Sequence, residues 1–151
     1  MNCRVAGWGV TKYPGGTVAD TPDKLNEVYL PYVDPDTCFL QILQIGRANG
    51  FEYRIDQNKQ ICMGQPEGGK DACQARKTPQ SHSAIDLYFQ GDSGGPLICN
   101  QGDSIVLHGV VSTGIGCALP NSPGIYSRIT AYFDWMQSVE QVHIFNPNIS
   151  S

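Results

Sequence analysis

No apolar run in this sequence approaches the roughly 20 residues that a membrane-spanning helix needs, and charged residues make up only 16% of the chain. The ten Lys and Arg residues are scattered and outnumbered by fourteen Asp and Glu, which gives a net charge of -4. The sequence therefore argues against a membrane span and against a nucleic-acid-binding patch. Its 151 residues, 40% of them hydrophobic, predict one globular domain with a single core.

No Cys-x-x-Cys pair occurs among the six cysteines, and Cys62 and Cys73 lie eleven positions apart, so a zinc site is disfavoured. Six cysteines in a chain of this length instead indicate disulfide bonds and an oxidising compartment, although the count alone does not choose the pairing. The first residues, from Met1 to Gly9, show no export signal. A sequence that is typical of a secreted protein but lacks this signal predicts a missing front end.

Short segments separated by Gly, Pro, Asn and Asp clusters predict a fold made mostly of strands. Alternate residues of Val28–Val33 suit a strand with one face more buried than the other, and Pro31 predicts an edge or a bulge. Many short strands with little helix favour a small barrel or a sandwich. The predicted strands are Cys3–Val10, Val28–Val33, Gln60–Gly64, Pro96–Asn100, Ile105–Thr113 and Gly124–Ile129.

Two helices are predicted. Asp34 and Pro35 supply a cap and a first-turn proline for a helix that continues through Cys38–Ile45. Thr130 is the predicted N-cap of a C-terminal helix, whose apolar residues recur at helical spacing and are expected to pack on the barrel or sandwich. These residues are Tyr132, Trp135, Met136 and Val139.

The segment Gly91-Asp92-Ser93-Gly94-Gly95-Pro96-Leu97 has the pattern of a catalytic serine. Glycines on both sides of a serine let the backbone turn sharply, which exposes the hydroxyl and lets nearby N–H groups converge on an oxyanion. The same letters also describe an ordinary tight turn, so the surrounding segments have to decide between the two.

Those segments resemble consecutive landmarks of the chymotrypsin/trypsin-like serine protease family, and their order and spacing fit the C-terminal half of its members from Cys3 to about Val142. They are Cys3-Arg4-Val5-Ala6-Gly7-Trp8-Gly9, Gly69-Lys70-Asp71-Ala72-Cys73-Gln74, Val111-Ser112-Thr113-Gly114, Gly116-Cys117-Ala118, Pro123-Gly124-Ile125-Tyr126 and Asp134-Trp135-Met136. The resemblance implies an all-β fold, a single six-stranded antiparallel Greek-key barrel with a C-terminal α-helix, over residues 1–145, followed by a polar tail at 146–151. It also implies a secreted, extracellular protein that needs no cofactor or metal.

The resemblance implies roles for individual residues. Ser93 would be the nucleophile, and the backbone N–H groups of Gly91 and Ser93 would form the oxyanion hole. Asp71 would lie at the base of the specificity pocket, with Gly114 and Gly124 on its walls. Glycines leave room for a long side chain whose cation can pair with the carboxylate, which implies trypsin-like cleavage after Arg or Lys.

Further roles follow from the same likeness. Ser112–Gly114 would provide the strand edge that pairs with the substrate backbone. Asp92 would pair with a freed N-terminal amine in an active enzyme. Met1 begins in what should be a strand, so its amine is not expected to reach Asp92, and a carboxylate without a partner favours a zymogen-like loop arrangement. The implied disulfides are Cys3–Cys99, Cys38–Cys62 and Cys73–Cys117.

The general base and the acid that orients it come from the N-terminal barrel in this family, around an Ala-Ala-His-Cys motif and a later Asp, and neither motif occurs here. Of the three histidines, His108 lies in a predicted strand, His143 in or beyond the terminal helix, and His82 in an unusual segment. None is a good replacement. The chain alone is therefore expected to be inactive unless the complementary N-terminal barrel is supplied.

That unusual segment is Ala75–Gln90, sixteen residues that separate Gln74 from Gly91, where family members continue directly. It is interpreted either as an alternative exon or unspliced stretch, or as a regulatory loop that can be cleaved after Arg76 or Lys77. Two functions stay open. The first is a serine endopeptidase acting on proteins or peptides with Arg or Lys, and the second is a non-catalytic truncated pseudo-protease or binding module with an exposed apolar surface.

Overall fold

The computed structural model describes residues 2–9, 22–68, 92–115 and 120–145. The strands are β1 Asn2–Gly7, β2 Asn26–Val33, β3 Gln60–Met63, β4 Pro96–Gln101, β5 Ser104–Gly114 and β6 Gly124–Arg128. The helices are α1 Pro35–Ala48 and α2 Phe133–Phe145, the latter preceded by a 3-10 turn at Ile129–Tyr132. The predicted tail at 146–151 and the segment Ala75–Gln90 lie outside the described residues.

The six strands form one closed antiparallel barrel in the order β1-β2-β3-β6-β5-β4, with β4 returning to pair with β1. The run β4-β1-β2-β3 has the spatial order that defines a Greek key. The predicted barrel is therefore confirmed, and the alternative of a sandwich is wrong. Closure gives every strand a neighbour on both sides along part of its length and leaves an interior filled by alternate side chains of each strand.

The barrel core consists of inward-facing residues from every strand. In β1, Cys3 and Val5 are buried whereas Arg4 and Ala6 are partly exposed, as the two-residue period of a strand requires. Cys3 lies directly opposite Cys99 of β4 and is bonded to it, so the predicted disulfide joins the two strands that close the barrel. The buried cluster comprises Cys3, Val5, Leu30, Ile61, Met63, Leu97, Cys99, Val111 and Tyr126.

Pro31 lies where the pairing of β2 changes partner. It is opposite Asn2 of β1, whereas the described pairing with β3 starts only at Tyr32 and Val33. A proline has no N–H to donate to a neighbouring strand. It therefore suits this position, where β2 already pairs with β1 but not yet with β3. Its carbonyl accepts a hydrogen bond from Gly64 N–H at 3.0 Å, which marks the start of that pairing.

Helix α1 begins where its cap predicted but extends further than Ile45. Asp34 Oδ1 accepts hydrogen bonds from the N–H groups of Asp36 and Thr37 at 3.0 and 3.2 Å, and Pro35 occupies the first turn. The residues that α1 buries are Cys38, Ile42 and Gly46. The predicted Cys38–Cys62 disulfide is present and attaches the helix to β3.

One prediction about the C-terminal helix is wrong, and a second holds for only half of its residues. Thr130 does not cap α2, because it lies inside the 3-10 turn and α2 begins at Phe133. The predicted apolar stripe is buried only in part: Tyr132 and Met136 are half-buried, whereas Trp135 is 64% exposed and Val139 36% exposed. The barrel interior is filled by its own strands, and within the described part of the chain neither buried cluster includes a residue of α2. No helix among the described residues combines the length and apolarity that a membrane crossing requires.

Candidate functional site

Ser93 lies on a tight turn that is fastened to β5. The N–H of Gly95 donates to the carbonyl of Asp92 at 2.8 Å, which closes a β-turn with Ser93 at its second position. Gly94 follows with a φ of 85°, a left-handed conformation that glycine adopts without strain. The N–H of Gly94 donates to Val111 O and the N–H of Val111 donates to Gly95 O, each at 2.9 Å. The exposed serine is thus carried on a turn that the barrel holds in place.

The Asp92 side chain is seated against the end of β1. Its Oδ1 accepts a hydrogen bond from Gly9 N–H at 2.6 Å. A Cβ atom at Gly7 would collide with Asp92 Oδ1, and one at Gly9 would lie 2.5 Å from Asp92 Cγ. Only glycine at both positions gives the carboxylate this space. Within the described residues the Asp92 carboxylate therefore has a neutral N–H as its partner, and its pairing with an amine stays a prediction.

Burial raises the pKa of the Asp92 carboxyl above its ordinary value of 3.8, and the hydrogen bond from Gly9 offsets only part of this effect. A raised pKa means that the folded protein binds the proton more tightly than the unfolded chain. The contribution of this group to the free energy of unfolding is therefore greatest below pH 3.8 and declines as the pH rises through the raised pKa.

Replacing Asp92 with Asn is expected to make the free energy of unfolding fall less steeply as the pH rises. Asn keeps an acceptor for Gly9 N–H but carries no charge, so it has no proton to lose. The measurement is the free energy of unfolding in urea from about pH 4 to about pH 7 for wild type and variant. Asp103→Asn, at an exposed aspartate between β4 and β5, is the matched control and should follow wild type. Parallel curves for Asp92→Asn and wild type would contradict the assignment.

Beyond the turn, β5 presents a free edge, one that pairs with no second strand among the described residues. Its pairing with β4 ends at Val110, opposite Pro96, so residues 112–114 have only β6 as a described neighbour strand. A register shift between Val111 and Thr113 leaves Ser112 on a bulge, where it is exposed. Gly114 pairs directly with Gly124 of β6, and both are buried. An extended peptide could pair with this edge immediately beside the Ser93 turn.

The structure does not bring His108 to that turn. His108 lies on a second bulge of β5, because its neighbours Leu107 and Gly109 pair with consecutive residues of β4. It precedes Val111 by three residues, roughly 10 Å along a strand. Its pKa is lowered by burial and, to a smaller extent, by Arg128. His108 is therefore a half-buried residue of a barrel strand, as its place in a predicted strand indicates.

Several predicted site residues lie outside the described residues: Asp71, Gly91, His82 and the Cys73–Cys117 pair. His143 lies in α2. Sequence reasoning missed one element of the site, the glycines that seat Asp92. The available signal was the Gly7-Trp8-Gly9 pattern, since two glycines around an exposed tryptophan leave room for a group packed against the backbone.

A comparison with protein families matches the chain to one family, described as Trypsin, over residues 1–75 and 81–136. The matched residues are well over half of the chain, and the interruption at 76–80 falls within Ala75–Gln90. The barrel strands, the two disulfides of the described residues and the Ser93 turn all lie within the matched residues. The chain therefore belongs to the trypsin family of serine proteases.

Proposed function

We propose that this chain is the C-terminal barrel of a serine endopeptidase that cleaves after Arg or Lys, with Ser93 as the nucleophile. One observation carries the proposal. An exposed serine lies on a turn bound to Val111, and the free edge of Ser112–Gly114 starts at the next residue. A peptide paired with that edge would pass beside the hydroxyl, which is the juxtaposition that attack on a peptide carbonyl needs.

In the proposed reaction, Ser93 Oγ attacks the scissile carbonyl while a general base removes its proton. The N–H groups of Gly91 and Ser93 bind the oxyanion, the base returns the proton to the leaving amine, and water then hydrolyses the acyl-serine ester. Asp92 supports the turn from the side of Gly9, which makes it a positioning residue rather than a reacting one.

The preference for Arg or Lys rests on Asp71 together with the paired glycines. Gly114 and Gly124 face each other across β5 and β6, and neither has a side chain that would narrow the space beside this pair. A carboxylate at Asp71 would select a guanidinium or ammonium group at the end of a long side chain.

The general base would come from a complementary N-terminal barrel. His108 lies too far along β5 to serve. Large exposed apolar side chains support the presence of a surface that binds this partner. At least half of each side chain is exposed in four of them: Ile105 and Leu107 on β5, and Phe133 and Trp135 on α2. The two disulfides are typical of secreted proteins, and we propose that this chain acts outside the cell.

The alternative function is a non-catalytic module that binds through the same apolar residues. The exposure of Trp135 and Phe133 favours it, because a binding surface needs no base. The segment Ala75–Gln90 bears on both functions. Joining Gln74 to Gly91 restores the family motif, so we propose that a variant lacking these residues is the better enzyme.

The test measures acylation by p-nitrophenyl p'-guanidinobenzoate, with the chain alone and with a separately produced N-terminal barrel of a trypsin-like protease. General-base catalysis is worth roughly 100- to 10,000-fold, so addition of the barrel is expected to raise the acylation rate by at least about 100-fold. Ser93→Ala should abolish the burst, while Ser104→Ala, at the exposed serine that begins β5, should keep it. The variant lacking Ala75–Gln90 is compared in the same assay.

Each outcome separates the two functions. A burst that needs Ser93 and the added barrel supports the protease. Binding of the barrel without acylation, both in the chain and in the variant lacking Ala75–Gln90, supports the non-catalytic module. A burst that persists in Ser93→Ala would place the nucleophile elsewhere and overturn the assignment of Ser93.

A further inference from the structure

Residues 51–56, which join α1 to β3, are extended like a strand but pair with no strand among the described residues. Their side chains alternate, because every second residue packs against the buried cluster that contains the Cys38–Cys62 disulfide, whereas Glu52 and Arg54 are exposed. This is the two-residue period of an extended chain. The residues that pack against the cluster are Phe51, Tyr53 and Ile55.

Both ends of this segment are fixed by hydrogen bonds. Phe51 N–H donates to Gly46 O at 3.0 Å, and a Cβ atom at Gly46 would lie 2.7 Å from Phe51 O. At the other end, Asp56 N–H donates to Gln60 Oε1 at 3.0 Å, and Gln60 Nε2 donates to the Tyr53 hydroxyl at 3.4 Å. The segment is therefore ordered before a second chain binds, which lowers the entropy cost of pairing with it.

The backbone groups of Glu52 and Arg54 lie on the edge of the segment that faces away from α1. In an extended chain, the N–H and C=O of one residue point to one side and those of its neighbours point to the other. Phe51 directs both of its groups to Gly46 at the end of α1, so Glu52 and Arg54 direct theirs to the opposite edge. Within the described structure, no backbone N–H or C=O of residues 52–55 takes part in a hydrogen bond. Such an edge is a template for another extended chain.

The charges on this edge are complementary to those of a second copy. Arg54 Nη2 lies 3.3 Å from Glu52 Oε1, and the two side chains are 84% and 68% exposed. In an antiparallel pair of copies with Tyr53 opposite Tyr53, Glu52 of each copy lies opposite Arg54 of the other. A shift of the register by two residues places either Arg54 opposite Arg54 or Glu52 opposite Glu52. Like charges directly opposite are unfavourable, so the charges select one register.

We propose that two copies of this chain associate through residues 52–54, paired as antiparallel strands about a twofold axis at Tyr53. Each of the two Glu52–Arg54 pairs exchanges two backbone hydrogen bonds and places opposite charges side by side on the exposed face. Because the contact is short, the dimer is weak, with a dissociation constant on the order of 100 µM. The inference does not depend on the proposed protease function.

The first test is sedimentation equilibrium of the full chain over a range from about 10 to about 500 µM, which spans the expected dissociation constant. The mean molar mass of wild type should rise with concentration toward that of a dimer. In a sample labelled with ¹⁵N, the amide signals of Glu52 and Arg54 should shift over the same range, whereas that of Trp135 on α2 should not.

Single charge reversals should weaken this association. Arg54→Glu and Glu52→Arg each place like charges opposite one another in both pairs, so each is expected to raise the dissociation constant by at least about tenfold. The matched controls are Lys24→Glu and Glu67→Arg, which make the same changes of net charge at exposed positions and should associate as wild type does. Circular dichroism confirms that each variant is folded.

A mixture of the two single variants should associate again. Glu52→Arg supplies two arginines and Arg54→Glu two glutamates, so each cross-strand pair in the mixed dimer joins opposite charges. The double variant Glu52→Arg, Arg54→Glu should likewise recover self-association, because it only exchanges the two charges. A variant that had lost association through misfolding would not be rescued by mixing.

Three results would overturn the proposal. One is a molar mass that stays at the monomer value over the whole range for wild type. Another is equal association of wild type and Arg54→Glu with concentration-dependent shifts at Trp135, which would place the contact on the exposed apolar residues of α2. The third is a mixture of the single variants that remains monomeric, which would show that Glu52 and Arg54 do not face each other between copies.

Discussion

Replacing both Cys3 and Cys99 with alanine is expected to lower the free energy of unfolding by about 4–5 kcal/mol, since the disulfide closes a long loop. The two cysteines are separated by 96 residues and join the first and fourth strands of the barrel. Without the bond, the unfolded chain gains the entropy that this loop closure removes. Domains of this size are stable by roughly 5–15 kcal/mol, so the variant loses a large share of its stability.

The matched control is the Cys38→Ala, Cys62→Ala variant. Its disulfide is equally buried but spans only 24 residues, for which the same chain-entropy relation gives about 3.4 kcal/mol. Urea unfolding of the two variants and of wild type, followed by circular dichroism, provides the free energies. A larger loss for the shorter bridge would contradict the loop-length argument and would point to the packing of α1 as the stronger effect.

Replacing Gly9 with alanine is expected to slow acylation of Ser93 by about 100-fold or more when the complementary barrel is present. The new Cβ would lie 2.5 Å from Asp92 Cγ and Oδ2, so the carboxylate has to move. Asp92 is adjacent to Ser93 and its carbonyl closes the turn that carries the serine. A displacement of about 1 Å at a reacting group is enough for a loss of this size.

The stability of Gly9→Ala should fall by only about 1–3 kcal/mol, as is usual for overpacking, so the fold survives while the turn shifts. Gly102→Ala is the matched control, because a Cβ there meets open space although φ is 60°. It should lose about 1 kcal/mol of stability and no acylation. Amide signals of Ser93 and Gly94 report the shift directly. Unchanged signals and unchanged acylation in Gly9→Ala would show that the seat of Asp92 is not coupled to Ser93.

Local sequence signals predicted the strands and the first helix well. The barrel strands begin and end within a few residues of the predictions, because turn residues and the alternation of buried and exposed side chains are properties of short segments. Asp34 and Pro35 likewise marked the start of α1, since capping involves only neighbouring N–H groups. Thr130 misled because a 3-10 turn and a helix N-terminus share the same local composition.

The apolar stripe near α2 shows what helical periodicity does not predict, namely how deeply each apolar residue is buried. Helical spacing identifies an apolar face, but it does not say which surface covers that face. Trp135 is exposed because the barrel core is complete without it. The seat of Asp92 was missed for a related reason. Gly7 and Gly9 are more than 80 positions away in sequence, and only the pairing of β1 with β4 brings them to the carboxylate.

The sequence by itself determined the family, the order of the strands along the chain and the serine motif, because these depend on residues that are close together or on landmarks in a given order. The tertiary structure decided what those residues touch, in particular the partner of Asp92 and the bulge that exposes Ser112 beside the Ser93 turn. Barrel closure is the physical reason, since it places residues from opposite ends of the chain in contact, and no local pattern encodes the distances between them.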